Sequence, residues 1–144
     1  MKKILFVCSG NTCRSPMAQA LLGNEAKKRG LDIIALSAGI FANEGEKYSE
    51  NARLALKEKG IDFDGSSKKL GKKDLEECDF AFGMNSSVAH ALCASFPESA
   101  EKIYVFPKEI SDPYGKDLNA YKDCLEEIKS GIDLIVKAAE ENKL

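Results

Sequence analysis

The chain alternates short apolar runs with stretches in which apolar side chains recur every three or four residues. Lys3–Cys8 carries Ile4, Leu5, Phe6, Val7 and Cys8 without a break before Ser9-Gly10-Asn11, the pattern of a strand buried on both faces. From Ser15 to Arg29 the apolar positions Met17, Ala18, Leu21, Leu22 and Ala26 fall at helical spacing, with Pro16 in the first turn and Gly30 as the stop. Asp32–Ser37 predicts a second strand, and Glu50–Lys59 a second helix closed by Gly60. A short helix at Lys72–Glu77, a strand at Phe80–Gly83, a helix at Ser86–Phe96 and a strand at Ile103–Phe106 follow. A long amphipathic helix from about Asn119 to Glu140 ends the pattern, with Tyr121, Leu125, Ile128, Ile132, Ile135 and Val136 along one face.

Four buried strands separated by helices predict an α/β fold: one domain over residues 1–144, with a parallel sheet of four strands and helices on both faces. No linker, repeat or low-complexity tract divides the chain. Such sheets bind ligands beyond the carboxyl ends of their strands, where the strand order reverses. The loop after the first strand is therefore the first place to look for chemistry.

Composition narrows the classes. The 144 residues suit one domain, and 44% hydrophobic with 31% charged residues is ordinary for a globular protein. Lys+Arg 21 against Asp+Glu 23 gives a net charge of −2, so nothing draws the whole molecule to nucleic acid or an anionic membrane, and neither is an expected partner. Any anion must be held locally. The N-terminal apolar run, Ile4 to Cys8, is too short for a secretory signal. Five cysteines without a C-x2-C pair, and a lone His90, fit neither a disulfide framework nor a metal site. A reducing cytoplasm, free thiols and no metal or cofactor are the expectation.

The unusual residues sit in the loop Cys8-Ser9-Gly10-Asn11-Thr12-Cys13-Arg14-Ser15-Pro16. A loop this tight between a strand and a helix can turn successive backbone N–H groups onto one anion, and the helix adds its own unsatisfied N–H groups and positive dipole end. Gly10 and Asn11 are residue types that accept left-handed backbone angles. Arg14 offers a planar fork for two phosphoryl oxygens. The same positive environment favours the thiolate form of Cys8, a nucleophile. Cysteine at the end of a buried strand is otherwise an ordinary small hydrophobe; its place at a strand-to-helix switch, in a loop that includes Gly10-Asn11 and runs directly into Pro16, is what selects the chemical reading.

Val7-Cys8-Ser9-Gly10-Asn11-Thr12-Cys13-Arg14-Ser15-Pro16 resembles the signature loop of the low-molecular-weight protein phosphatases. Ser37-Ala38-Gly39, Gly60-Ile61-Asp62 and Asp112-Pro113-Tyr114 follow in that family's order, so the likeness spans essentially the whole chain. The resemblance implies a metal-free hydrolysis of phosphorylated protein side chains through a cysteinyl-phosphate, with inorganic phosphate or another oxyanion able to occupy the loop. By matching position it implies Cys8 as nucleophile and Arg14 as phosphate clamp. Ser15 becomes the hydroxyl that bonds the thiolate, Asn11 the brace of the loop, and Ser9, Gly10, Thr12 and Cys13 parts of the anion site. It also implies a redox role for Cys13, bridging to Cys8; the residue's other reading is a small side chain facing the core.

A proton donor is needed for the leaving group, and one carboxyl can serve both steps, acid first and base second. Asp112 is the candidate, in the loop after the fourth strand and stiffened by Pro113. Ser111-Asp112-Pro113-Tyr114-Gly115 is also good turn chemistry in its own right, and it is the resemblance that makes Asp112 the acid and Tyr114 a pocket wall. Many relatives carry a histidine after Gly-Ile-Asp; Phe63-Asp64-Gly65-Ser66 stands here, and no role is assigned to it. Cys78, Cys93 and Cys124 lie in or beside helical patterns as structural residues, His90 reads as a surface or hydrogen-bonded residue, and Lys68-Lys69 with Lys72-Lys73 as a solvated face.

Thr12 departs from the commonest pattern. Members acting on phosphotyrosine usually have a branched apolar residue there, whereas threonine resembles the bacterial branch that removes phosphate from arginine. A smaller, hydroxyl-bearing wall makes room for a guanidinium; Gly115 and Phe41 fit the same branch. Phosphoarginine is the favoured substrate and phosphotyrosine the alternative. Two more distant classes share such a loop. An arsenate reductase needs a relay of two further cysteines, for which Cys78 and Cys93 are the available pair; a phosphocarrier should lack both Arg14 and Asp112.

Overall fold

The computed structural model describes residues 1–144. Strands β1 (Lys2–Cys8), β2 (Ile33–Gly39), β3 (Phe80–Gly83) and β4 (Ile103–Val105) form one parallel sheet in the order β2-β1-β3-β4. β1 is central because its apolar run has no polar face to offer water. Alternation along it divides the interior: Ile4, Phe6 and Cys8 point to one side, Leu5 and Val7 to the other. Helices α1 (Arg14–Arg29), α2 (Glu50–Glu58) and α5 (Leu118–Glu140) cover the first side. The second is closed by α3 (Lys72–Glu77) and α4 (Ser86–Ser95).

The expectation of four buried strands holds only for the middle of the sheet. Tyr104 and Val105 of β4 are 47% and 42% exposed, and Ile34 of β2 is 37% exposed. These strands lie at the edges, where five helices are too few to cover both faces. β2 also runs to Gly39, beyond the expected stop at Ser37, because Gly39 pairs with Cys8. A 3₁₀ turn at Pro97–Lys102 was not foreseen; Pro97 opens it with a preset φ.

The first side holds the larger core. Phe6 stacks on Phe82 and meets Phe106 edge-on, with ring centroids 6.0 and 5.9 Å apart. The Phe106 ring fills the space a side chain would take at Gly131 in α5, so the helix lies close over the sheet. Burying such a ring stabilises by roughly 1.5–3 kcal/mol. Because β1 has β2 on one flank and β3 on the other, the connection that leaves β1 runs toward β2 while the one that leaves β3 runs the opposite way, toward β4. The crevice this opens lies immediately beyond Cys8.

Candidate active site

Cys8 is 2% exposed at the tip of β1, and the chain turns through Ser9–Cys13 before α1 begins at Arg14. The N–H groups of Ser9, Gly10, Thr12 and Cys13 donate to no acceptor in the protein. Helix α1 has no side-chain cap and no acidic residue in its first turn. Four loop N–H groups and an uncapped helix terminus are thus left open, and Gly10, Thr12, Cys13 and Arg14 of this stretch line one cavity. That arrangement favours an anion both by direct hydrogen bonds and by the helix dipole.

Of the two residues expected to take left-handed angles, only Asn11 does, at φ 54; Gly10 stays outside that region. Asn11 is held there by its side chain. Its Oδ1 accepts from Lys68 N at 2.8 Å, and its Nδ2 donates to Ser15 Oγ at 2.9 Å and Ser37 Oγ at 3.0 Å. Ser67 Oγ adds a bond to the Asn11 carbonyl at 3.0 Å. The glycine the loop requires lies elsewhere: a Cβ at Gly39 would stand 2.8 Å from Asn11 N and from Ser9 O. Backbone rests on backbone at that point, and any side chain would push the loop out.

These bonds also fix where the protons lie. Lys68 N–H can only donate, so the Asn11 oxygen faces it and the amide nitrogen faces the two serines. Ser37 gives its proton to Gln19 Oε1 at 2.6 Å. Ser15 Oγ, already accepting from Asn11, has its proton left for Cys8 Sγ at 2.9 Å. Asn11 N–H donates to the same sulfur at 3.2 Å. Two donors therefore converge on the Cys8 sulfur.

Arg14 is 3% exposed, its Nη1 donating to the Ile110 carbonyl at 3.3 Å and its Nη2 lying 3.6 Å from Asp112 Oδ2. Asp112 is also the turn residue that its sequence suggested: Oδ1 accepts from Tyr114 N at 3.0 Å, and Gly115 closes the turn at φ 80. The turn takes up one carboxylate oxygen and leaves the second beside Arg14, at the cavity. Cys13 belongs to the core yet lines the same cavity, its Sγ 3.3 Å from the Tyr121 hydroxyl. Burial, outweighing the hydrogen bonds from Tyr121 and Thr12, pushes the Cys13 thiol up, and Tyr121 is pushed up to about 12, again chiefly by burial. All five cysteines are unpaired.

The cavity above Cys8 measures about 270 Å³. Gly10, Thr12, Cys13 and Arg14 form its floor, and Phe41 and Tyr114, 77% and 69% exposed, stand as walls. Asn43 and Glu46 also line it, and nothing local in the sequence marks them.

The family model described as low molecular weight phosphotyrosine protein phosphatase matches residues 3–143. The chain belongs to that family. It is 36% identical to a protein-arginine-phosphatase of Geobacillus stearothermophilus over 94% of each chain. It is also similar to the crystal structure of a low molecular weight protein tyrosine phosphatase from T. tengcongensis: TM-score 0.91, 39% identity, 95% of this chain and 99% of that one. A third relative is an arginine phosphatase with cysteine replaced by serine and a phosphorylated active-site serine, matching at TM-score 0.93 and 29% identity over 98% of this chain and 97% of that one. Overall identity does not separate the arginine-named from the tyrosine-named phosphatases, so the distinction falls to the cavity.

Residues outside this phosphatase site fall where their surroundings dictate. Cys78 is buried in the core on the opposite side of the sheet from Cys8, and Cys93 packs against that same core. Burial pushes the Cys78 thiol up. A thiol relay to Cys8 would have to cross the sheet. Cys124 lies on the buried face of α5, and burial pushes its thiol up to about 12. His90 is exposed on α4. Three lysines of the basic stretch are neutralised, Lys68 by Asp74, Lys72 by Glu76 and Lys73 by Glu77. No helix is long and apolar enough to cross a membrane.

Proposed function

We propose that this member of the family hydrolyses phosphoarginine in proteins, with Cys8, Arg14 and Asp112 as its catalytic residues. In the first step the Cys8 sulfur attacks phosphorus, the S–P bond forms, the P–N bond breaks, and Asp112 gives its proton to the leaving nitrogen. In the second, water attacks the cysteinyl-phosphate, Asp112 takes the water proton, and phosphate leaves with the thiolate restored. Arg14 and the open N–H groups hold the three phosphoryl oxygens through both steps, where charge is greatest. Ser15 lends its proton to the sulfur as nucleophile and as leaving group. Ser9, Gly10, Asn11, Thr12 and Cys13 make up the cradle, with Phe41 and Tyr114 flanking the side chain that carries the phosphate.

Thr12 is the observation that carries the arginine reading. It lines the cavity, 8% exposed, with its hydroxyl 3.5 Å from Cys13 Sγ, a small polar side chain where a larger apolar one would narrow the site. The aromatic walls support the second reading, phosphotyrosine, since Phe41 and Tyr114 could sandwich a phenol ring. Thr12→Ile decides between them. The wild type should favour a phosphoarginine peptide over a phosphotyrosine peptide in kcat/KM, and the variant should reverse the order, by ~10–200-fold in the ratio. Equal or better phosphotyrosine turnover by the wild type, unaltered in Thr12→Ile, would leave a tyrosine phosphatase with an atypical loop. The five unpaired thiols fit a reducing cytoplasm, and a bridge between Cys8 and Cys13 is the proposed response to peroxide.

A further inference from the structure

The charge around the cavity is lopsided. Arg14 is the one basic side chain that lines it, and it is needed at the phosphate. Two carboxylates line it as well, Asp112 and Glu46, and a dianionic phosphate by itself gains nothing from either. Asp112 is accounted for by proton transfer. Glu46 is not used by any step of the reaction.

Glu46 is held in place. Asn43 Nδ2 donates to Glu46 Oε2 at 3.2 Å, the only hydrogen bond this carboxylate makes, so its other oxygen has no partner within the protein. The backbone of the same turn is tied down by Glu46 N to the Asn43 carbonyl at 3.1 Å and Gly45 N to the Ser67 carbonyl at 3.0 Å. Topology sets where it stands. Phe41, Asn43 and Glu46 come from the segment after β2, and Asp112 and Tyr114 from the segment after β4, and these strands are the two opposite edges of the sheet. Each of the two segments thus brings one aromatic ring and one carboxylate to the cavity.

We propose that Glu46 is a specificity-determining residue that receives the cationic guanidinium of phosphoarginine on the wall facing Asp112. The inference rests on the arginine reading above and adds a second, independent source of selectivity. A phosphoarginine side chain keeps its positive charge on the guanidinium, adjacent to the phosphoryl group. Its leaving nitrogen turns to Asp112, and the nitrogens that stay in the product present N–H groups to the opposite wall, where a fixed carboxylate accepts them. Phosphotyrosine offers a neutral ring at that level and meets Glu46 only as a like charge to its phosphate.

The test compares kcat/KM for phosphoarginine and phosphotyrosine peptides of one flanking sequence, in wild type, Glu46→Gln, Glu46→Lys and Asn43→Ala. The ratio of arginine to tyrosine turnover should fall about three- to tenfold in Glu46→Gln, the worth of a partly exposed charge-assisted contact, and further in Glu46→Lys. Asn43→Ala should move it the same way by less. The shift should shrink in 1 M salt, where the Debye length is about 3 Å. A ratio unmoved by Glu46→Gln and Glu46→Lys overturns the proposal, as does a shift that persists undiminished in high salt and so marks packing instead of charge. The two readings fail separately. If the wild type favours phosphoarginine and Glu46→Gln leaves the ratio alone, Glu46 is excluded while Thr12 keeps its role. If the wild type favours phosphotyrosine and the ratio still falls, Glu46 acts as proposed and the arginine assignment is the one lost.

Discussion

The turn after β1 and the turn after β3 are built alike. Each leaves a parallel strand at the same edge of the sheet and enters a helix within a few residues, so each aims a set of unpaired N–H groups and a positive dipole end at solvent. At α4 the protein satisfies those groups itself. Asn85 Oδ1 accepts from Val88 N at 2.9 Å, and the Glu109 carboxylate takes Ser86 N at 3.0 Å and Ser86 Oγ at 2.9 Å. At α1 the cap residue is Cys13, which makes no such bond, and no carboxylate sits in the first turn. One terminus carries a resident anion, and the other is left open for an anion that arrives and leaves. The chemistry lies in a cap the sequence withholds, more than in the fold both turns share.

The strongest way to break this comparison is to remove the sulfur and keep the open donors. Cys8→Ser should lose about four orders of magnitude or more in para-nitrophenyl phosphate turnover, as when a nucleophile is deleted from an intact site. Vanadate or phosphate should still raise its Tm, by an amount worth ~2.7 kcal/mol at a hundredfold excess over Kd. Substantial turnover would remove Cys8 as nucleophile. A Tm indifferent to phosphate and vanadate alike would remove the open-donor account of α1.

Asp112→Ala comes next in size. Without the acid, turnover of a phosphoarginine peptide should drop by roughly two to four orders of magnitude. Para-nitrophenyl phosphate, whose leaving group needs no proton, should suffer less in the first step, so that phosphoenzyme accumulates and gives a burst of nitrophenol. Equal losses on both substrates, with no burst, would assign Asp112 to positioning Arg14 through their 3.6 Å contact and not to proton transfer.

How much of this was legible in the sequence depends on the reach of each contact. The nine helices and strands follow from local periodicity, and the loop from Cys8 to Ser15 was legible because its own residues define it. What supports that loop was hidden. Lys68 N and Ser67 Oγ reach Asn11 from a distant segment, Tyr121 reaches Cys13 from α5, and Gly39 is required only because a loop from another strand rests on it. Glu46 and Glu109 are the same residue type with the same polar, exposed pattern. Only the sheet order sends one to the cavity and the other to the start of α4. Gly10 shows the converse error: a residue permissive of left-handed angles was credited with a conformation that Asn11, braced by its own amide, takes instead.

The smallest expected effect concerns the capped terminus and uses pH to isolate it. The Ser86 N–H and hydroxyl hold the Glu109 carboxyl below its ordinary range. A carboxyl lowered in the folded state binds fewer protons there than in the unfolded chain, so its stabilisation is complete above the unfolded value, about 4.3. It is lost as pH falls through the lower, folded value. Glu109→Gln keeps the shape and an acceptor but removes the charge. Its Tm should lie below wild type by about one to three degrees at neutral pH, a typical yield for one exposed helix-terminus charge in a chain of this size. That gap should hold constant down to the ordinary glutamate range and close below it. High salt should narrow it at neutral pH. A gap that persists undiminished in acid would mean that Glu109 acts through its hydrogen-bond geometry alone, and that the dipole at α4, the terminus closed by its own carboxylate, contributes nothing measurable.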